Sequence, residues 1–132
     1  GTRTAADAAA AIGVPLGSIV KSLVFTVDGA PLLVLVAGDR RADQGKLARL
    51  LGVSKNKIRF ADAETVREVT GFAIGGVPPV GHKRDMPTLI DESLGRFEVV
   101  HAAAGTPRAN FPIRFSQLVE VTGGQLADIA ED

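Results

Sequence analysis

Cysteine is absent from the 132 residues. That removes disulfides, thiolate metal sites and a cysteine nucleophile. Tryptophan and tyrosine are absent too, and phenylalanine occurs six times, so a surface built on many stacked bases is excluded. Net charge is missing as well: fifteen Lys and Arg balance fifteen Asp and Glu, and no global field draws the chain to nucleic acid or to a membrane. No apolar run approaches the ~18 residues a membrane span needs; the longest, Pro31 to Gly38, has eight and suits a buried strand. The opening Gly1-Thr2-Arg3-Thr4 has no hydrophobic signal region behind a basic one, so a cytoplasmic protein is expected.

What is present is ordinary for a globular chain: 45% apolar and 23% charged residues, enough to build one core. No repeat or linker divides the sequence, so residues 1–132 are expected to form a single domain. Thr4 and Asp7 predict a helix over residues 4–12, stopped by Gly13 and Pro15. The β-branched run from Ile19 to Val27, the Asp28-Gly29 turn and the return from Leu32 to Ala37 predict a central hairpin. Leu47, Leu50 and Leu51 predict a helix over 43–51, Ile58 and Phe60 a short strand, and Asp62 the cap of a helix ending at Gly71. Residues 71–87, with four glycines and three prolines, read as a long functional or mobile loop. Strands are expected at 88–91 and 97–103, a short extended piece at 113–115, and a helix capped by Ser116 that ends before Gly123. About six strands among three or four helices give an α+β fold with a mixed sheet.

Three features carry chemistry. Lys21 lies on the strand face formed by Ile19, Leu23, Phe25 and Val27, which should look into the core. A buried ammonium is costly without a partner or a cavity. Either its stem packs while its head reaches water, or it serves a pocket. The second feature is the loop from Gly75 to His82, whose glycines permit close backbone approach and whose prolines stiffen it. It is either a surface turn or a ligand loop, and it is neither a P-loop nor a GxGxxG motif. The third is the stretch holding Arg40, Arg41, Lys46, Arg49, Lys55, Lys57 and Arg59. Only Asp43 opposes these seven cations, leaving a local charge of +6: a solvated face, or a patch for phosphates. His82 and His101 have no partner at ligand spacing, so no metal site is expected, and His101 reads as a core or rim residue.

In order, the segments Ile19-Val20-Lys21-Ser22-Leu23-Val24-Phe25, Val34 to Asp39, Lys46-Leu47, Thr70 to Gly81, Ile90-Asp91-Glu92-Ser93-Leu94 and Ala104-Gly105 resemble the YbaK/prolyl-tRNA synthetase-associated domain family. The resemblance covers about residues 5–130. It implies a mixed, barrel-like sheet with helices around it, and hydrolysis of the ester of mischarged aminoacyl-tRNA without a metal or other cofactor. It puts the family's lysine at Lys21 and its flexible loop at Gly75 to Pro79, where the N–H groups of Gly75 and Gly76 would hold the carbonyl oxygen. Ser22, Val77, Pro78, Pro79, Gly81, His82, Asp91 and Gly105 would line the substrate pocket. The implied partners are the acceptor end of aminoacyl-tRNA, met by the basic stretch, and prolyl-tRNA synthetase. The chain departs from the family's pattern in two places. Ser22 stands where Thr is frequent, and an upstream segment that walls the pocket in many relatives is expected to be missing or shortened. A non-catalytic tRNA- or synthetase-binding module and a small-ligand domain are the competing classes, separated by following ester loss from mischarged tRNA.

Overall fold

The computed structural model of the chain describes residues 4–132, so Gly1, Thr2 and Arg3 lie outside the described residues. Helix α1 spans Ala5–Ile12. Thr4 Oγ1 accepts from the Asp7 N–H at 3.2 Å, and the Asp7 carboxylate accepts from the Thr4 N–H at 3.1 Å. This reciprocal cap satisfies two donors of the first turn. Strands β1 (Val20–Val27) and β2 (Ala30–Ala37) form the expected hairpin. Asp28 and Gly29 both take positive φ, 51° and 87°, the turn geometry whose twist matches the strands. Helix α2 covers Gln44–Leu51 and α3 covers Ala63–Thr70. The Asp43 carboxylate accepts from Lys46 N–H at 3.0 Å and that of Asp62 from Thr65 N–H at 2.8 Å, so both helices begin where their caps predict. Between them lies β3 (Ile58–Phe60). The remaining elements are β4 (Thr88–Asp91), β5 (Val99–Ala103), β6 (Asn110–Arg114), α4 (Phe115–Thr122) and β7 (Gln125–Ala127).

Five strands form one mixed sheet in the order β3-β1-β2-β4-β7. β1 pairs antiparallel with β2 and β3, whereas β4 runs parallel to both β2 and β7. β5 and β6 form a separate antiparallel ribbon, tied to the sheet by the Ile19–His101 bridge. β2 is central and both its faces are covered. Leu33 and Leu35 pack with Val66, Leu94 and Leu118 on one side, and Val34 and Val36 pack with Leu47 and Ile129 on the other. Each such burial contributes about 1.5–3 kcal/mol.

The structure departs from the sequence reading at four places. β7 adds a seventh strand, parallel to β4, after the Gly123-Gly124 stop. The strand expected from Phe97 starts at Val99, because residues 92–96 wind into a 3-10 turn closed by Phe97 N–H on the Leu94 carbonyl; Val100 and Ala102, not His101, are its buried residues. α4 starts at Phe115 without a side-chain cap, so Ser116 lies inside it. Finally, β1 has no polar face. Leu23 and Phe25 pack toward Leu47, while Val20 and Val24 pack toward Val66, and Ser22 is drawn inward between them.

Candidate active site

β1 is paired with β2 along its whole length, but its other edge is covered only at the ends. β3 meets it at Phe25–Val27, and β5 touches it through the single Ile19–His101 bridge. A cavity of about 340 Å³ opens along the uncovered middle. Lys21 and Ser22 line it from β1, and Gly75 and Val77 from the glycine–proline loop. Two pairs of residues more than fifty positions apart thus meet at one gap in a sheet edge. A smaller annex of about 70 Å³ shares Ser22, Ile74 and Val77 with the cavity and continues toward Val24, Ala61 and Val66.

Lys21 is half-buried, and its ammonium donates to the backbone carbonyl of Arg40. Burial pushes its pKa below the usual lysine value, Arg41 pushes in the same direction, and Asp39 opposes them. Asp39 is itself gripped by Arg96 through two bonds of 2.7 and 3.0 Å, chiefly for which its carboxyl is held below the usual range. The lysine therefore has one donor committed to the loop before α2 and two uncommitted.

The loop is stiffened by its own contacts. Gly75 takes φ 88°, a region glycine enters without a Cβ penalty. Gly76 N–H donates to the Ala73 carbonyl at 2.9 Å, which removes it from the oxyanion role expected of it. Gly76 instead packs against residues 105–106: a Cβ built there would lie 2.9 Å from the Gly105 carbonyl oxygen. The N–H groups of Gly75 and Val77 make no hydrogen bond among the described residues, and both residues line the cavity. Both are free donors on the loop.

The other nominated residues support the cavity from behind or lie elsewhere. Pro78 and Pro79 are buried under the loop, and His82 Nε2–H donates to the Pro78 carbonyl at 2.6 Å, latching it just beyond Gly81. Gly105 backs Gly76. Asp91 lies away from the cavity and is 2% exposed. One of its oxygens accepts from Ser93 N–H at 3.0 Å and the other from Ile129 N–H at 2.9 Å. It ties the C-terminal segment to β4, and does not line the cavity because both its oxygens are consumed by backbone.

The basic stretch is split by the fold. Lys46 is held by Asp128 at 3.0 Å and Asp132 at 2.8 Å; its charge is neutralised, which corrects its assignment to nucleic acid. Lys57 pairs with Asp28 at 3.5 Å near the hairpin turn, beside Arg59. Arg40 and Arg41 adjoin Lys21, while Arg49 and Lys55 are exposed on and just after α2.

Sequence reasoning missed the walls. Thr4, Ala5 and Ala8 of α1 close one side, and Ala103, Pro107 and Asn110 close another. The signal for α1 was its alanines, small enough to let a helix lie close to a ligand space. No sequence signal marked Asn110. Among the described residues no His, Asp or Glu lines the cavity, and no cluster of metal-ligating side chains occurs. No helix in them is long and apolar enough to cross a membrane.

A family model described as "Aminoacyl-tRNA editing domain" matches residues 1–121. The chain is 34% identical to the uncharacterized protein YwhH of Bacillus subtilis over 98% of its length and 82% of that protein's. It is 27% identical to the "Putative Cys-tRNA(Pro)/Cys-tRNA(Cys) deacylase EbsC" of Enterococcus faecalis, over 96% of its length and 76% of that protein's. It is also similar to a stretch of the proline–tRNA ligase of Maridesulfovibrio salexigens, 42% identical over 63% of this chain and 14% of the ligase. A crystal structure described as "a putative trans-editing enzyme for prolyl tRNA synthetase" superimposes with TM-score 0.93 and 50% identity, over 99% of this chain and 82% of the other.

Proposed function

The chain belongs to the aminoacyl-tRNA editing domain family, and we propose that it hydrolyses the ester of a mischarged aminoacyl-tRNA bearing a small side chain. The observation that carries this reading is the cavity at the β1 edge, where one half-buried ammonium, two unused backbone donors and a small annex converge. An annex of about 70 Å³ holds roughly two waters' worth of space, which suits Ala-, Ser- or Cys-sized groups.

In this reading water attacks the ester carbonyl carbon, and the C–O bond to the ribose breaks. The oxyanion formed is met by the N–H groups of Gly75 and Val77, donors fixed before the reaction starts. Lys21, whose amino group donates to the Arg40 carbonyl, binds and polarises the aminoacyl-adenosine end. No side chain lining the cavity is an ordinary general base, so the attacking water's proton is relayed through the neighbouring ribose hydroxyl, which passes its own proton to the ribose oxygen that leaves. Arg40 and Arg41, beside Lys21, meet phosphates of the acceptor end; such contacts position a nucleic acid without reading it. Prolyl-tRNA synthetase is the partner that the similar proteins' names suggest. The test is incubation with Ala-, Ser-, Cys- and Pro-charged tRNA, following ester loss, with Lys21→Ala as control. Loss of the small acyl groups that vanishes in the variant is expected. Ester loss no faster than in buffer would overturn the reading and leave a binding module.

A further inference from the structure

The uncovered edge of β1 has a polarity that the fold leaves unused. Hydrogen bonds alternate along a strand. The Ile19 carbonyl accepts from Gly38 N–H beyond the end of β2, whereas the Val24 carbonyl accepts from Ala61 N–H and Asp28 N–H donates to the Lys57 carbonyl on the β3 side. Odd-numbered residues of β1 therefore turn their backbone groups toward β2, and even-numbered ones toward the outer edge. Ser22 is the even-numbered residue at which neither β3 nor β5 pairs, and it lines both the cavity and its annex. Across the gap, Ala104 N–H donates to the Ala109 carbonyl, which turns Ala104 toward β6 and Ala103 toward β1. Two strand edges face each other with a rung missing between them. The Ser22 hydroxyl, fully buried, has no hydrogen-bond partner.

We infer that the aminoacyl group docks as that missing rung: its α-ammonium donates to the Ser22 carbonyl, and its ester carbonyl oxygen accepts from the Ser22 N–H, beside the Gly75 and Val77 N–H groups that meet it once it becomes an oxyanion. The inference rests on the ester-hydrolase reading and adds how the acyl group is held. An aminoacyl ester carries a donor and an acceptor on one residue, the unit an antiparallel strand exchanges with its neighbour. In such a pair the two side chains fall on the same face of the sheet. An L-aminoacyl group thus sends its side chain over Ser22 into the annex walled by Val24, Ala61 and Val66, and its D-enantiomer sends it to the other face. Selectivity follows for a free α-amine. An N-acylated ester, the chemistry of peptidyl-tRNA, loses the charge and places an acyl group against the Ser22 carbonyl, and is rejected.

The experiment uses 3′-(L-alanylamino)-3′-deoxyadenosine, an amide that is not hydrolysed, and its N-acetyl derivative. Each is titrated into the ¹⁵N-labelled full chain and followed by NMR. The free amine is expected to bind roughly tenfold tighter or better, the worth of one charge-assisted hydrogen bond, and to move the Ser22 amide resonance. Ser22→Ala keeps the preference, because backbone atoms do the reading. Ser22→Pro removes the N–H that turns away from β2, on the stretch of β1 where no outer strand pairs and proline breaks no ladder bond, and weakens the free amine at least tenfold; if that variant loses its dispersed spectrum, the Ser22→Ala comparison decides. Equal affinities, no binding of either compound, or binding with the Ser22 amide unmoved overturns the inference. A chain that binds with this preference yet leaves mischarged tRNA intact refutes the hydrolase reading alone. Equal hydrolysis of alanyl- and N-acetylalanyl-tRNA refutes this inference alone.

Discussion

Replacing Gly76 by alanine separates two roles the loop could play, pocket wall or scaffold. A Cβ at position 76 would sit 2.9 Å from the Gly105 carbonyl oxygen and 2.9 Å from Thr106 Cα. Both obstacles are backbone, and Gly105 holds φ 105°, so neither can swing aside as a side-chain end would. The loop must draw away from residues 105–106 by some tenths of an ångström. Overpacking of this kind costs about 1–3 kcal/mol. With an unfolding entropy of about 2.1 cal/mol/K per residue, the melting temperature of a chain this size falls by roughly 4–11 °C. Gly75 and Val77 move with Gly76, and their N–H groups leave the position proposed for the oxyanion. Complete loss of one such donor costs about 100- to 1,000-fold in rate; a partial displacement should cost about tenfold. The methyl meets backbone and not the acyl group, so the loss is the same for Ala-, Ser- and Cys-charged tRNA. Calorimetry and single-turnover deacylation measure both quantities. An unchanged melting temperature with a rate loss graded by acyl size would show that the methyl points into the cavity, and would refute the scaffold argument.

Lys21→Met tests the sign of the lysine's burial. Its folded pKa lies below the unfolded value of 10.5, so between the two the unfolded chain binds more protons and wild-type stability rises with pH. The variant lacks that rise, and its stability relative to wild type should fall between pH 7 and pH 10 in urea melts; an increase would be inconsistent with desolvation of the ammonium. Asp91→Asn turns one amide N–H toward a backbone N–H and should cost about 1–3 kcal/mol of stability; a raised KM for tRNA at unchanged stability would instead return Asp91 to the substrate site. Arg41→Glu should flatten the salt dependence of tRNA binding by about 0.7–0.9 of log–log slope per lost phosphate contact. Lys46→Glu should leave that slope alone and speed amide exchange around Ile129, since Lys46 holds Asp128, Asp132 and the Ala130 carbonyl; the opposite pattern would place Lys46, and not Arg41, on the nucleic acid.

Local chemistry was legible wherever a side chain speaks for its own backbone. Thr4, Asp43 and Asp62 announce helix starts, because each oxygen finds the N–H three residues on. Asp28-Gly29 announces a turn that needs two positive φ angles. Lys21 was singled out by a mistaken premise that still led to the cavity. It looked anomalous as a charge on an apolar face opposite a polar one, yet both faces of β1 are packed, and the lysine is accommodated because the strand's edge is open beside it. Edges are invisible to periodicity, which reports faces. Whether β3 stops at Phe25 or runs on to Ser22 depends on where the chain turns at Ala61 to enter the Asp62-capped helix, and on how far β5 splays after His101. The same limit explains Gly76 and Asp91. A glycine's N–H and a carboxylate's two oxygens become unavailable only through partners, Ala73 in one case and Ser93 with Ile129 in the other. Side-chain type therefore nominated Lys21, Ser22 and the glycine loop. Backbone pairing then decided which atoms of those residues remain free to meet a substrate, and it favours Gly75, Val77 and Ser22 over the residues with the more suggestive chemistry.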